Sequence, residues 1–262
     1  MITRHHVDQF NAFGFLHLRG LLDPDEVGYV SSQFDASVAD DVAPSVQAER
    51  TRELRDWLLT HTDIYDIPVK LFGDDFLFEG FSCQLYREDS PWHADSAIVR
   101  WTFRHIKIAI YLDSLTEHTG CLRVIPGSHR EWLRLTDPRW AQAPDYMFGI
   151  KNRDMRWQSP PWGLAQLDVP YMPLETEPGD VLVFPEDLLH CAFGTGAPRR
   201  QMAIALMENP TTDEEIFNLK QRQAYAGGPN YRPSKSLMEH SDPRLRRMAA
   251  RLVELGLPPA DG

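Results

Sequence analysis

The strongest constraint on the fold is a change in the sequence pattern after Gly80. Before that residue the chain favours helices, whereas after it the apolar residues fall into short runs separated by glycine, proline, aspartate and serine. Five of these runs are strand candidates: Phe81 to Tyr86, Ile106 to Leu112, Cys121 to Ile125, Val181 to Phe184 and Met202 to Met207. Such runs between turn residues are typical of a β-sandwich or barrel. The 20 prolines among 262 residues also argue against a helix bundle.

Helices are predicted on both sides of this β-region. Thr3 is a candidate N-cap for a first helix that Gly14 would end, and Pro24 opens a second. A third helix is predicted from Arg50 to Thr60, and an amphipathic helix from Ser241 to Leu257. We predict one domain over residues 1–262: a mainly helical part at 1–78, a β-core at 79–210 with a lid-like insertion at about 131–177, and a helical extension at 211–262.

Composition excludes several classes of protein. A net charge of −11 argues against a broad surface for nucleic acid or anionic membranes. No apolar run reaches the roughly 18 residues of a membrane span, and the first residues lack the apolar stretch of a signal peptide, so we expect a cytoplasmic protein. Cys83, Cys121 and Cys191 are far apart, which suits a reducing compartment and indicates neither a disulfide framework nor a zinc site.

A metal site is the most specific chemistry that the sequence suggests. Four His-x-Asp triplets occur, and residues two apart share a face on a strand but not on a helix. Only His93 and Asp95 fall in the β-region, because the other three triplets lie in or beside predicted helices: His6/Asp8, His61/Asp63 and His240/Asp242. His190, which follows the strand ending at Phe184, is the candidate third ligand.

An arginine pair beyond His190 refines the type of metal chemistry. Two imidazoles and one carboxylate with open coordination positions suit a non-haem Fe(II) oxygenase. Arg199 and Arg200 begin the next predicted strand, and a guanidinium there would hold the distal carboxylate of a 2-oxo acid through paired hydrogen bonds.

These parts, in this order, resemble the phytanoyl-CoA dioxygenase family of Fe(II)/2-oxoglutarate oxygenases. The similarity runs from Val7 to about Leu206. The motifs that carry it are Trp92-His93-Ala94-Asp95, Gly120-Cys121-Leu122-Arg123-Val124-Ile125-Pro126-Gly127-Ser128-His129, Pro178-Gly179-Asp180-Val181 with Phe184, then His190 and the arginine pair.

The resemblance implies a fold, a site and a reaction. The fold would be mainly β with flanking helices (α+β), around a double-stranded β-helix, a cupin-like jelly roll. His93, Asp95 and His190 match the family's catalytic iron ligands, and Arg199 or Arg200 matches the residue that binds 2-oxoglutarate. Fe(II), 2-oxoglutarate and O₂ are therefore the expected cofactor and co-substrates. The partner would be a small-molecule substrate, with no nucleic acid or membrane partner.

The chain departs from the family pattern at two places. Ala94 stands where many relatives have glutamine, and the segment from Cys191 to the arginines is shorter than in relatives, which leaves the arginine register open. Strand alternation favours Arg199, because it shares a face with the small Ala203 and Ala205. We expect His129, at the end of a tight turn, to be structural.

Rival functions share parts of this pattern. A halogenase would need a small residue in place of Asp95, so the carboxylate argues against it. A cupin-like isomerase or lyase would use the metal without a 2-oxo acid, and a non-catalytic binding module would need no metal. Metal content and 2-oxoglutarate binding separate these alternatives from an oxygenase. The oxygenase product would arise by hydroxylation or by a related outcome such as desaturation or ring formation.

The substrate is the least constrained part of the prediction. An acyl-CoA would need a local basic patch, for which the sequence offers two clusters: Arg100, Arg104 and Lys107, or Lys151, Arg153 and Arg156. The tryptophan-rich stretch from Trp132 to Trp162 favours a lid or substrate wall suited to a polar or ring-bearing metabolite, as in secondary metabolism.

Overall fold

The protein is described by a computed structural model that covers residues 2–38, 45–46, 51–95, 101–130, 168–194, 197–226 and 233–258. The N-terminal helices are α1 (Arg4–Phe13), α2 (Pro24–Val38), α3 (Arg52–Thr60) and α4 (Thr62–Phe72). The C-terminal helices are α5 (Asp213–Ala226), α6 (Lys235–Met238) and α7 (Pro243–Glu254). None of the helices in these ranges has the length and apolar character that a membrane span requires.

In the part of the chain that the structure describes, ten strands form two antiparallel sheets. The strands are β1 (Leu16–Leu18), β2 (Ser45–Val46), β3 (Phe76–Tyr86), β4 (Ser90–His93), β5 (His105–Tyr111), β6 (Leu122–Val124), β7 (Met172–Leu174), β8 (Val181–Phe184), β9 (His190–Ala192) and β10 (Arg199–Glu208). The larger sheet has the order β1-β8-β5-β10-β3-β2 and the smaller sheet the order β4-β9-β6-β7. This arrangement confirms the predicted mainly β fold with flanking helices and a cupin-like jelly-roll core.

The two faces of the larger sheet have different environments. The bulky side chains of β10, Met202, Ile204 and Leu206, are buried in one apolar cluster with residues of the helices, among them Phe34 and Met248. The helices therefore cover this face of the sheet and bury it from water. The contact between the helices and this face forms the main apolar core. The opposite face carries the polar side chains described below.

Element boundaries differ modestly from those predicted. All five predicted strands are present, and β3 and β10 each extend beyond their apolar runs, starting at Phe76 and Arg199. Helix α4 was not predicted, because Pro68 lies inside it and proline normally ends a helix. Of the predicted insertion, residues 131–167 lie outside the described part of the chain, and the remainder contains β7.

Candidate metal centre

The smaller sheet brings together the residues of the predicted metal site. His93 ends β4 and His190 begins β9, and the two residues lie opposite each other in the antiparallel register. Asp95 follows two positions after His93. One candidate ligand atom from each of these three side chains can be chosen so that all three atoms lie within 4.8 Å of one another. Residues almost a hundred positions apart in sequence therefore share one small volume.

The carboxylate of Asp95 lies close to Nε2 of both imidazole rings. Its Oδ1 is 3.5 Å from Nε2 of His93, and its Oδ2 is 3.6 Å from Nε2 of His190. The two ring centroids are 4.2 Å apart. The three side chains thus present two nitrogens and a carboxylate to a common point.

Backbone carbonyl groups fix the orientation of both rings. Nδ1 of His93 donates to the carbonyl oxygen of Pro91 at 2.7 Å, and Nδ1 of His190 donates to that of Leu188 at 2.8 Å. Because a carbonyl oxygen can only accept, Nδ1 carries the proton in each ring and Nε2 keeps its lone pair. This arrangement is typical of metal-binding histidines, whose second nitrogen is held by a hydrogen bond.

The local charges keep these groups in their metal-binding protonation states. Burial, with a smaller contribution from His93, lowers the pKa of His190 to about 3, so its ring is neutral at pH 7. Burial opposes ionisation of Asp95, but the charge of Lys107 outweighs it, and the pKa of that carboxyl is held well below its usual range. The Lys107 ammonium donates directly to Oδ2 of Asp95.

This donor set fits a divalent metal ion. Two neutral imidazole nitrogens and one carboxylate form the 2-His-1-carboxylate arrangement, which leaves coordination positions open on a bound Fe(II). The contact of Lys107 with Asp95 shows that the carboxylate already faces a positive charge. Among the described residues, this is the group of histidine and acidic side chains that can hold a metal ion.

The polar face of the larger sheet contributes further side chains to the same interior. Cross-strand pairing places Arg199 opposite Tyr86 and Gln201 opposite Tyr111, while Lys107 lies on the same face of β5 as Tyr111. Nε2 of Gln201 donates to the hydroxyl of Tyr111 at 2.8 Å. Since Lys107 contacts Asp95, this face is turned towards the candidate metal site.

Open space lies in front of this face. Ala203 and Ala205 are in the middle of a six-stranded sheet, yet both are only half-buried, whereas Met202 and Ile204, which alternate with them, are fully buried. A small side chain at a central strand position leaves volume that a larger one would fill. The alternation of β10 therefore provides room for a small ligand beside the metal site.

The structure separates the two arginines of the pair. Arg199 is buried and donates to the backbone carbonyl groups of Gly120 at 2.6 Å and Glu88 at 3.0 Å. Arg200 instead is half-buried and pairs with Asp113 at 2.9 Å and with Asp35 at 3.3 Å. Among the described residues no acidic side chain pairs with Arg199, and its Nε has no hydrogen-bond partner.

The first of the two basic clusters considered for a phosphate-bearing substrate does not form a surface patch. Lys107 faces the interior and contacts Asp95, whereas the exposed Arg104 pairs with Glu208. The expectation of a shared surface was wrong because alternate residues of a strand face opposite ways. The tryptophan-rich stretch from Trp132 to Trp162 lies outside the described residues. So do the remaining members of the two basic clusters, which are Arg100, Lys151, Arg153 and Arg156.

The other His-x-Asp triplets have local structural contacts. His6 belongs to the capping box of α1, and His61 pairs with Glu26 at 2.8 Å. Asp242 caps α7 by accepting from the backbone N–H of Arg244. His129 packs against Gly14, where a Cβ would come within 2.3 Å of its Nδ1. These contacts support the structural roles predicted for these residues.

Two motifs of the resemblance support the site from outside it. The side chain of Ser128 accepts from the backbone N–H of Leu189 at 2.9 Å, which fastens the turn to the residue preceding His190. Asp180 is buried and accepts from Nε2 of His17 at 2.9 Å and from the N–H of Gly20 at 2.7 Å. The turn before β8 is thereby tied to the segment around β1.

Three polar side chains of this interior were not predicted from the sequence, and a fourth was predicted to lie at the surface. Tyr86, Tyr111 and Gln201 were not singled out, and Lys107 was assigned to a surface cluster. A signal was available for Lys107, since it is the one charged residue between Ile106 and Leu112, an otherwise apolar run. A charged residue in the middle of an apolar strand needs a buried partner or an open cavity.

Comparison with known proteins agrees with this site and fold. The sequence profile of the phytanoyl-CoA dioxygenase (PhyH) family matches residues 86–201, a range that contains His93, Asp95, His190 and both arginines. The ectoine dioxygenase of Sphingopyxis alaskensis is 23% identical, over 75% of this chain and 72% of that protein.

Two solved structures share the fold. EvdO2 of Micromonospora carbonacea, complexed with 2-oxoglutarate, is 20% identical with a TM-score of 0.57 over 80% of this chain and 93% of that one. HygX of Streptomyces hygroscopicus, with nickel and 2-oxoglutarate bound, is 15% identical with a TM-score of 0.61 over 81% of this chain and 90% of that one. The family profile over residues 86–201, the donor set and the jelly-roll fold agree, and this part of the chain is similar to the phytanoyl-CoA dioxygenase family of Fe(II)/2-oxoglutarate-dependent oxidoreductases.

Proposed function

We propose that this protein is a non-haem Fe(II)/2-oxoglutarate-dependent dioxygenase that oxidises a C–H bond of a small-molecule metabolite. One observation carries the proposal: a two-histidine, one-carboxylate site faces a sheet surface that bears a buried guanidinium without an acidic partner among the described residues. The metal site and the guanidinium are the two features that 2-oxoglutarate, a chelating dicarboxylate, requires.

His93, Asp95 and His190 are the proposed metal ligands. Iron bound there would combine O₂ with 2-oxoglutarate, releasing succinate and CO₂ and inserting the second oxygen atom into the substrate or removing two hydrogens from it. The chain contributes fixed Nε2 lone pairs, through the bonds of both Nδ1 atoms to backbone carbonyl groups, and an ionised carboxylate.

Arg199 is the proposed binding residue for the distal carboxylate of 2-oxoglutarate. Buried charges are normally paired, because an isolated buried charge is costly. The guanidinium of Arg199 has two backbone carbonyl acceptors, and its Nε lacks a partner among the described residues, so a carboxylate would complete its interactions. Ala203, on the same face of β10 as Arg199, is half-buried and leaves open space on that face for a small ligand.

We propose a small-molecule metabolite as the substrate and oxidation of one of its C–H bonds as the chemical outcome. Hydroxylation is the simplest outcome, and desaturation or ring formation follows from the same hydrogen abstraction. We further propose a role in secondary metabolism in the cytoplasm. The free, buried state of Cys83, Cys121 and Cys191 supports a reducing compartment.

The test has two parts. Purified protein with Fe(II), ascorbate and 2-oxoglutarate is assayed for O₂-dependent succinate, and we expect succinate formation that His190→Ala abolishes and His240→Ala retains. Metabolites from cells with active protein and with the His190→Ala variant are then compared for mass changes of +16 or −2, which identify substrate and outcome together. Metal binding without any 2-oxoglutarate binding would favour the cupin-like isomerase or lyase instead.

A further inference from the structure

Lys107 is a charged residue whose position the proposed reaction does not explain. It lies in the middle of β5, and its neighbours along the strand, Ile106 and Ile108, are fully buried on the other face. Its ammonium contacts Oδ2 of Asp95 and lies 6.0 Å from the ring centroid of Phe184. Phe184 is in turn 5.0 Å from the ring of His190. The ammonium therefore lies at the edge of the three-ligand group.

This ammonium and a metal ion would both be attracted to the same carboxylate. Oδ2 of Asp95 contacts Lys107 and also lies 3.6 Å from Nε2 of His190, whereas Oδ1 lies 3.5 Å from Nε2 of His93, so the ammonium holds one of the two oxygens that face the ligand nitrogens. A divalent ion between these ligands would lie close to this positive charge and be repelled by it.

We propose that Lys107 is a positioning residue: its ammonium holds Oδ2 of Asp95 and places a positive charge beside the three ligands. The inference rests on the proposed metal site. It follows that Lys107 weakens metal affinity, because its ammonium competes for the carboxylate and would repel a bound cation. A neutral residue at position 107 removes both effects, and both changes favour the metal-bound state.

The test is a direct titration of metal-free protein with Co²⁺, which can stand in for Fe(II) and is followed by its visible absorption and by competition with a chromophoric chelator. Lys107→Met keeps the length of the side chain without its charge, and we expect it to bind Co²⁺ about tenfold more tightly or better, since a neighbouring charge changes such equilibria by one or more decades. Lys107→Arg keeps the charge, and we expect its dissociation constant for Co²⁺ to stay within about threefold of that of the unmodified protein.

Matched controls separate charge from damage to the fold. Lys70→Met removes a half-exposed lysine that pairs with Asp66 at 3.8 Å, and it should leave Co²⁺ affinity unchanged. A merely structural defect at position 107 would weaken Co²⁺ binding, so tighter binding cannot arise from it. Unchanged or weaker binding by Lys107→Met, or equal tightening by Lys107→Arg, would overturn the inference and leave the proposed function intact. Absence of stoichiometric Co²⁺ binding to the unmodified protein would instead refute both the inference about Lys107 and the proposed metal-dependent function.

Discussion

Arg199 and Arg200 are adjacent in sequence and lie in opposite environments of one strand. Arg199 is buried beside the ring of Tyr86 and bonds only to backbone carbonyl groups among the described residues. Arg200, on the other face of β10, is half-buried and is paired with Asp113 and Asp35. The side chain with its charge already compensated has little to gain from a further anion. The side chain with neutral partners has much to gain, which makes the pair a sensitive test of the proposed co-substrate site.

We expect Arg199→Gln to weaken 2-oxoglutarate binding strongly and Arg200→Gln to leave it near that of the unmodified protein. Loss of a charge-assisted contact in a desolvated site costs about 2–5 kcal/mol, or roughly 30-fold or more in affinity, whereas an exposed ion pair contributes little. The measurement is an anaerobic titration of the Fe(II) protein, following the visible charge-transfer band of the chelate. Fe(II) affinity should be preserved in both variants. A strong effect of Arg200→Gln alone would assign the co-substrate to the other face of β10.

Asp95 leads to a second prediction about single residues. A carboxylate at this position occupies the coordination position that chloride would need, so we expect only oxidised products. The assay is product mass spectrometry in buffers that contain chloride or bromide. A product with a halogen isotope pattern would contradict the assignment of Asp95 as a metal ligand.

At the scale of elements, the sequence predicted the strands that have clear apolar runs, including the short β6 and β8, and missed β4, β7 and β9. In β10 the alternation of small and bulky residues correctly indicated two different faces, because a long strand has a regular period of two. Strands β4, β7 and β9 have three or four residues each, too few to show a period, and β4 and β7 also contain proline. They form through pairing with partners distant in sequence. The polar face around Lys107 could not be assembled from sequence either, since it depends on the register of three strands.

The turn that precedes β8 makes a testable connection between elements. Gly179 has φ of 97°, and a Cβ there would come within 2.6 Å of the carbonyl oxygen of Leu22. Gly73 has a similar φ of 90° but nothing within 4 Å of a Cβ. We expect Gly73→Ala to lower the free energy of unfolding by about 1–3 kcal/mol through backbone strain, and Gly179→Ala to lower it by a further ~1–3 kcal/mol through crowding. Urea unfolding measures both, and equal losses would show that the approach to Leu22 is not restrictive.

At the scale of the whole molecule, metal binding should couple to stability. The ligands come from β4, the segment after it and β9, which are distant in sequence, so a metal ion that binds only the folded protein stabilises it by mass action. At free Ni²⁺ one hundred times its dissociation constant, we expect the free energy of unfolding to rise by about 2.7 kcal/mol. His190→Ala should abolish this rise, and His240→Ala, in another His-x-Asp triplet, should keep it. Urea midpoints with and without Ni²⁺ give the comparison, and a rise retained in His190→Ala would place the metal elsewhere.

A buried charge cluster joins the C-terminal helices to the jelly roll. Arg222 of α5 pairs with Glu79 of β3 at 3.4 Å and with Glu186, which follows β8, and its guanidinium lies 4.4 Å from the ring centroid of Trp101. Two carboxylates thus share one guanidinium, and Oε2 of Glu79 has no hydrogen-bond partner among the described residues. Burial, and then repulsion by Glu186, raise the pKa of Glu79 to about 8.

This shift predicts a pH dependence of stability that one substitution should remove. The folded-state pKa of Glu79 lies above its value of 4.5 in the unfolded chain, so the folded state binds more protons between these two values. The free energy of unfolding should therefore fall as the pH rises from about 5 to about 8, by at most about 1.4 kcal/mol per pH unit from this group. Glu79→Gln stays neutral at every pH, so it should gain stability relative to the unmodified protein as the pH rises. The exposed Glu254→Gln should show no such trend in urea midpoints measured at pH 5.5 and 8.5, and a constant difference for Glu79→Gln would show that Glu79 is ionised throughout.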